Sequence, residues 1–66
     1  MSAYRVCKTL DGQSEFINEV KFDNKEDAEH YAKNQSVGDD KHRYEVQKND
    51  KGEFDTIKVY LKGQAI

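Results

Sequence analysis

Proline and tryptophan are absent from this 66-residue chain, and cysteine occurs once. Without proline, the turns must be built by glycine, asparagine and aspartate. Because Cys7 is alone, no internal disulfide bond can form, which argues against a secreted, disulfide-stabilised scaffold. We therefore expect a single small domain, residues 1–66, whose stability depends on an apolar core.

Long apolar runs are also missing. No stretch is long and apolar enough to cross a membrane, and the segment Met1 to Leu10 lacks the apolar core of a secretory signal. The net charge of −2 is too small for the composition typical of disordered chains. These observations predict a folded cytoplasmic domain with a charge-rich surface.

Residue types that carry chemistry are scattered along the chain. Cys7, His30 and His42 do not have the spacing of metal ligands, and no serine–histidine–aspartate or cysteine–histidine arrangement is recognisable. The glycines are isolated turn residues and form no phosphate-binding loop. A large pocket is hard to accommodate in so short a chain. We therefore expect no enzyme, no metal, no cofactor and no small-molecule substrate.

The first part of the chain has the alternation of a β-hairpin. Residues 3–9 and 15–22 alternate apolar and polar side chains, and Asp11-Gly12 between them is a strong turn signal. A three-residue loop over residues 10–12 pairs Val6 with Phe16, whereas a two-residue turn pairs Val6 with Ile17. We favour the first register because it gathers the apolar set on one face. That set is Tyr4, Val6, Phe16, Val20 and Phe22.

A helix is predicted next. Asp23 with Glu26 three residues later fits a capping box, and Gly38 fits a terminator. Small and aromatic side chains recur at helical spacing between them. These are Ala28, Tyr31, Ala32 and Gln35.

A second hairpin is predicted over residues 42–48 and 53–61, joined by a turn over residues 49–52. A four-residue loop pairs Tyr44 with Ile57. It turns one row of side chains toward the core: Tyr44, Val46, Ile57, Val59 and Leu61. The remaining row of the last strand points away from the core: Phe54, Thr56, Lys58 and Tyr60. Residues 62–66 are expected to fray.

These elements define an α+β fold of order ββαββ, with a four-stranded antiparallel sheet and one helix packed on one face. The order of the strands in the sheet does not follow from the sequence. One helix leaves the other sheet face uncovered, and clustered apolar side chains on such a face are typical of interaction sites. The leading interpretation is a protein-binding module or a homodimer that uses this face. The expected contact residues are Ile17, Arg43, Phe54, Lys58 and Tyr60.

Two alternatives use charge. An acidic inhibitor or adaptor could bind a basic partner, even by imitating DNA phosphates, and the chain is similar in size and charge, though not in motif, to small phage-encoded inhibitors. Its contact residues would be Glu26, Asp27, Glu29, Asp39 and Asp40. Weak binding of single-stranded nucleic acid on the sheet face is a further alternative. The net acidic charge argues against that alternative.

Overall fold

The fold is seen in a computed structural model, which describes residues 3–10 and 16–66, except for the side chains of residues 16–18. Strands and helix follow one another as β1 (Tyr4–Leu10), β2 (Phe16–Phe22), α1 (Lys25–Ser36), β3 (His42–Asp50), β4 (Glu53–Leu61) and β5 (Gln64–Ala65). The predicted turn at Asp11-Gly12 lies outside the described residues. No helix in the described part of the chain is long and apolar enough to span a membrane.

The α+β class and the antiparallel sheet are confirmed, but the sheet has five strands and not four. Its order is β2-β1-β3-β4-β5, so β3 is the middle strand, with β1 and β4 on either side of it. The fifth strand forms where we expected a frayed tail. Gln64 pairs with Leu61, and the amide of Ile66 donates to the carbonyl of Val59 at 2.8 Å. These backbone bonds hold the end of the chain against β4.

The predicted register of the first hairpin is wrong, but four of the five residues of the predicted face keep their side. The fifth, Phe16, lies opposite Thr9, beyond an irregularity in the pairing. Val6 lies opposite Val20, and not opposite Phe16. The partner is displaced by an even number of residues, and side chains alternate with a period of two. Tyr4, Val6, Val20 and Phe22 therefore still share a side of the sheet.

The register of the second hairpin is also wrong, and here part of the face changes. Near the turn Gln47 lies opposite Thr56, but after an irregularity between Val46 and Gln47 the pairing shifts, so that Tyr44 lies opposite Tyr60. Ile57 is the extra residue of this β-bulge. A single extra residue exchanges the two sides of the strand beyond it, so Lys58 and Tyr60 turn toward the helix.

The turns on either side of β4 have the same design. Lys51 and Gly52 join β3 to β4 with φ of 54° and 90°, and Lys62 and Gly63 join β4 to β5 with φ of 55° and 78°. Positive φ at both central residues is what the tightest antiparallel hairpins require, because it matches the strand twist. Each turn therefore places a lysine in the left-handed region, which costs a non-glycine residue about 1 kcal/mol or more.

Helix α1 is capped at both ends by local contacts. Asn24, and not the predicted Asp23, is the N-cap: its side chain accepts from the amide of Asp27 at 2.9 Å. Gly38 follows the helix with φ of 80°, as predicted for a terminator. The hydroxyl of Ser36 accepts from the amide of Gly63 at 2.9 Å, which ties the end of the helix to the β4–β5 turn.

The core lies between the helix and one side of the sheet. Its buried members are Val6, Ala28, Ala32, Tyr44, Val46 and Tyr60. The two alanines on the helix let it approach the sheet closely, and the rings of Phe22 and Tyr31 close one side of the core with centroids 5.2 Å apart. Since this single layer covers one side only, the opposite side of the sheet is left without a covering element among the described residues.

Candidate functional site: the open sheet face

We call the side of the sheet opposite the helix the open face. The pairing of the strands places on it Arg5, Cys7, Thr9, Glu19, Lys21, Arg43, Glu45, Gln47, Phe54, Thr56, Val59 and Leu61. Residues on neighbouring strands of one face lie close enough for direct side-chain contact. The open face is therefore one continuous surface assembled from β2, β1, β3 and β4.

A chain of hydrogen bonds crosses all four of these strands. Arg5 donates to Glu19 Oε2 at 2.6 Å and to Gln47 Oε1 at 2.7 Å. Gln47 Nε2 donates to the hydroxyl of Thr56 at 3.1 Å, and that hydroxyl donates to Glu45 Oε1 at 3.1 Å. Each side chain in this chain is thereby held in one orientation, so the middle of the open face is polar and ordered.

Arg5 also stacks on an aromatic ring. Its guanidinium carbon lies 3.7 Å from the centroid of the Phe54 ring. At this distance the positive charge interacts favourably with the face of the ring. Because hydrogen bonds to Glu19 and Gln47 hold the guanidinium in place, Arg5 and Phe54 form a rigid platform, which we call the Arg5–Phe54 platform.

Three small or polar side chains are buried beneath the longer ones. Cys7 and Thr9 are fully buried and Gln47 nearly so. Burial raises the pKa of the Cys7 thiol. The charge of Arg5 lowers this pKa, whereas the charges of Glu19 and Glu45 raise it. The thiolate is the reactive form of cysteine, so Cys7 has the character of a packing residue and not of a nucleophile.

An apolar strip borders the open face at the β4–β5 edge. Val59 and Leu61 are half-buried, and Ile66, whose amide is bonded opposite Val59, is 74% exposed. We call these three residues the apolar strip. Exposed aliphatic side chains beside an ordered polar region are an arrangement common to protein interfaces.

The structure places the five predicted contact residues in different surroundings. Arg43 and Phe54 lie on the open face, as expected. Tyr60 does not: it is 6% exposed and belongs to the core. Lys58 faces the helix, with its ammonium 5.7 Å from the centroid of the Tyr60 ring and 4.0 Å from Glu29 Oε1. The side chain of Ile17 lies outside the described residues.

Sequence reasoning missed the importance of Arg5 and the position of the apolar strip. Arg5 alternates regularly with Tyr4 and Val6 and looks like any solvated strand arginine. The sequence predicts that Val59 and Leu61 lie in the core, because a bulge at Ile57 leaves no mark in the hydrophobic pattern. No signal in the sequence distinguishes these residues, because both depend on which residue of a neighbouring strand lies opposite.

The residues of the acidic alternative are not brought into one patch. Asp27 is engaged with the N-cap Asn24 at 3.0 Å, and Glu29 turns toward Lys58. Asp39 and Asp40 follow the other end of the helix, roughly 15 Å along its axis at 1.5 Å per residue. Glu26 and Asp40 are exposed, but at opposite ends of α1.

Asp39 organises the loop that enters β3. Its carboxylate accepts from the amides of Lys41 and His42 at 3.1 and 3.2 Å and from the Tyr44 hydroxyl at 2.8 Å, and both oxygens lie 3.0 Å from His42 Nδ1. The hydrogen bond with His42 is the main reason why the pKa of Asp39 lies well below its usual range. The bonds from Tyr44 and the two amides lower this pKa further, and desolvation opposes them. Burial and the bond to Asp39 raise the pKa of Tyr44 to about 12. This cluster is best explained as a structural one.

An open cleft of about 220 Å³ lies beside the loop that follows the helix, and it is lined by Gly38, Asp39, Asp40 and Lys62. A crevice of about 60 Å³ lies under the helix, between Tyr31, Tyr44 and the strands. Within the described ranges, no three histidine, cysteine, aspartate or glutamate side chains are grouped as metal ligands would be.

Comparison of the chain with protein-family models, with curated proteins and with solved structures finds no match. The functional argument therefore depends on the geometry of the open face alone.

Proposed function

We propose that this protein is a non-enzymatic binding module that docks a protein partner on its open face. The Arg5–Phe54 platform is the observation that carries the proposal, since arginine and aromatic side chains contribute a large share of the free energy of protein association. Held by Glu19 and Gln47, the platform loses little side-chain entropy on binding. The partner would pack its own aliphatic or aromatic side chains over the Phe54 ring.

The surroundings of the platform fit the same role. The apolar strip of Val59, Leu61 and Ile66 supplies surface that is favourable to remove from water, at about 25 cal/mol per Å². The hydrogen-bonded chain from Glu19 to Glu45 lies beside it, and its donors and acceptors already bond one another at several points. A partner could therefore cover the open face without leaving these groups unbonded, which would otherwise cost about 1–3 kcal/mol for each.

The test compares three forms of the protein as bait in a lysate of its source organism: the wild type, Phe54→Ala and the control Val37→Ala. Val37 is a suitable control because it is 63% exposed and apolar but follows the helix and lies outside the open face. We expect one protein to be enriched by the wild type and by Val37→Ala and to be lost with Phe54→Ala. With the purified partner, Phe54→Ala should raise the dissociation constant by about tenfold or more.

Salt and nucleic acid separate this proposal from its alternatives. Binding through the open face should change by less than about tenfold between 0.1 and 0.5 M salt, because its contacts are largely apolar. A partner retained equally by Phe54→Ala but released steeply by salt would favour the acidic adaptor and contradict the proposal. A mixed-sequence single-stranded oligonucleotide that binds the wild type and competes with the protein partner would instead favour nucleic acid.

A further inference from the structure

Strand β2 forms one edge of the sheet, and its backbone geometry shows which residues point outward. The strand order places β2 beyond β1, with no other described strand beside it. The amide of Asn49 donates to the carbonyl of Ala3 at 2.8 Å, so the odd-numbered residues of β1 direct their backbone groups toward β3. Neighbouring residues of a strand direct these groups to opposite sides.

The even-numbered residues of β1 therefore bond to β2. Val6 lies opposite Val20, and so the backbone groups of Val20 point inward, toward β1. The backbone groups of Glu19 and Lys21 must then point away from the sheet, at the outer edge of β2. An outer edge of this kind can pair with another strand.

The charges at these two positions are complementary when a second copy is placed antiparallel with its two-fold axis at Val20. In that register Glu19 lies opposite Lys21 of the second copy, and Lys21 opposite its Glu19. Both positions direct backbone donors and acceptors outward, so each pair can exchange two hydrogen bonds and also match opposite charges. In this register Glu19 keeps its bond to Arg5, and its side chain is 38% exposed.

Neighbouring registers are less favourable. An axis at Glu19 would place that carboxylate against its own copy, and an axis at Lys21 would do the same with the ammonium groups. Like charges directly opposite one another destabilise a strand pair. In the favoured register Val20 meets its own copy on the helix side at the short spacing of non-hydrogen-bonded pairs, where more of this half-buried side chain is removed from water.

The other edge of the sheet is less suitable for pairing. Strand β5 covers Tyr60 and Leu61, and the bulge at Ile57 interrupts the remainder of β4. Bulges and short edge strands are the features that discourage pairing between sheets. Residues 19–22 of β2 pair regularly with β1 by comparison, since the irregularity in that pairing lies between Lys8 and Thr9.

We propose that two copies of this chain pair through β2, antiparallel about Val20, to form one continuous sheet across the dimer. This interface uses the outer backbone edge of β2, although the side chains of Glu19 and Lys21 also lie on the open face of each copy. It does not depend on the function proposed above. It gives a pair of identical open faces on the same side of a joined sheet.

The test exchanges the charges. Lys21→Glu places two glutamates opposite Glu19 residues, and Glu19→Lys places lysines opposite lysines. We expect each variant to raise the dimer dissociation constant by about tenfold or more in sedimentation equilibrium, as two symmetric like-charge pairs require. An equal mixture of the two variants should form a heterodimer within about threefold of the wild-type constant, since both pairs are then of opposite charge.

The control is Lys33→Glu, which changes the net charge by the same amount as Lys21→Glu but lies on the exposed last turn of the helix. It should leave the dimer dissociation constant within about twofold of wild type. Amide exchange gives a second measurement on the unmodified chain: the amides of Glu19 and Lys21 should exchange more slowly as protein concentration rises. A wild-type chain that stays monomeric at millimolar concentration would overturn the proposal. A dimer that is weakened equally by Lys33→Glu, or that the mixture does not restore, would overturn it too.

Discussion

The hydroxyl of Tyr44 donates to Oδ2 of Asp39 at 2.8 Å, and this bond joins the loop after the helix to a buried residue of the central strand β3. Asp39 also accepts hydrogen bonds from the amides of Lys41 and His42 and lies beside the ring of His42. The loop is thus organised around one carboxylate, whose ionised form accepts all of these bonds. The protonation state of Asp39 should therefore be visible in the stability of the whole domain.

We expect the free energy of unfolding to decrease in acid because of Asp39. Its pKa in the fold is held below the ordinary value of about 3.9. A group of this kind contributes stability that is present above the unfolded pKa and is lost as pH falls from there toward the folded pKa. Asp39→Asn should be less stable than wild type at pH 6, with the difference shrinking below about pH 4.

Urea unfolding between pH 2 and pH 6 measures this difference. Asp40→Asn is the matched control, because Asp40 is the exposed neighbour in sequence. An Asp39→Asn curve parallel to wild type over the whole range would show that the carboxylate has no special role.

Two aromatic truncations in β4 should have very different costs. Tyr60 is in the core, and removing a core aromatic side chain typically costs about 3–5 kcal/mol. A domain of this length has a total stability of roughly 3–10 kcal/mol, so Tyr60→Ala should be largely unfolded or close to it. Phe54 is half-exposed, and Phe54→Ala should cost about 1 kcal/mol.

Thermal unfolding followed by circular dichroism distinguishes the two variants. Equal losses would mean that the bulge at Ile57 does not exchange the faces of β4 in solution.

The two turn glycines should respond differently to alanine. Both have positive φ, which costs a non-glycine residue about 1–2 kcal/mol. A Cβ at Gly63 would also lie 2.8 Å from Cγ2 of Val37, whereas one at Gly52 would meet no atom within 4 Å. Gly63→Ala should therefore be the more destabilising change, by about 1 kcal/mol or more.

A double-mutant cycle isolates the steric part. In a Val37→Ala background the excess cost of Gly63→Ala over Gly52→Ala should largely disappear. If the excess persists there, its source is the backbone of the turn and not the contact with Val37.

The N-cap gives a prediction that separates two adjacent residues. Asn24 accepts from the amide of Asp27, and replacing such a cap by alanine costs about 1 kcal/mol. Asp23→Ala should cost much less, because Asp23 precedes the cap. Chemical denaturation of both variants measures the free energy of unfolding. A larger decrease with Asp23→Ala would show that Asp23, the residue predicted from the sequence, is the N-cap.

Hydrophobic alternation predicted the helix, the first four strands and most of the core, but neither strand β5 nor the registers. Tyr4, Val6, Val20 and Phe22 share the predicted side even though Val6 pairs four residues away from the predicted partner. Any even displacement preserves the sides of a strand, so the pattern contains no information that would distinguish such registers. The bulge at Ile57 is different, since it exchanged the sides of Tyr60 and Val59 and moved two of the five predicted contact residues, Lys58 and Tyr60, off the open face.

The hydrogen-bonded chain from Glu19 through Arg5, Gln47 and Thr56 to Glu45 does what alternation cannot do. A strand whose register shifted by two residues would still bury its apolar side chains, and the core would be packed equally well. The same shift would nevertheless separate each donor in this chain from its acceptor, and it would leave buried amide and guanidinium groups without hydrogen-bond acceptors. The side-chain hydrogen bonds thus fix the register of β2, β1, β3 and β4. They select one register among those that apolar packing alone would allow.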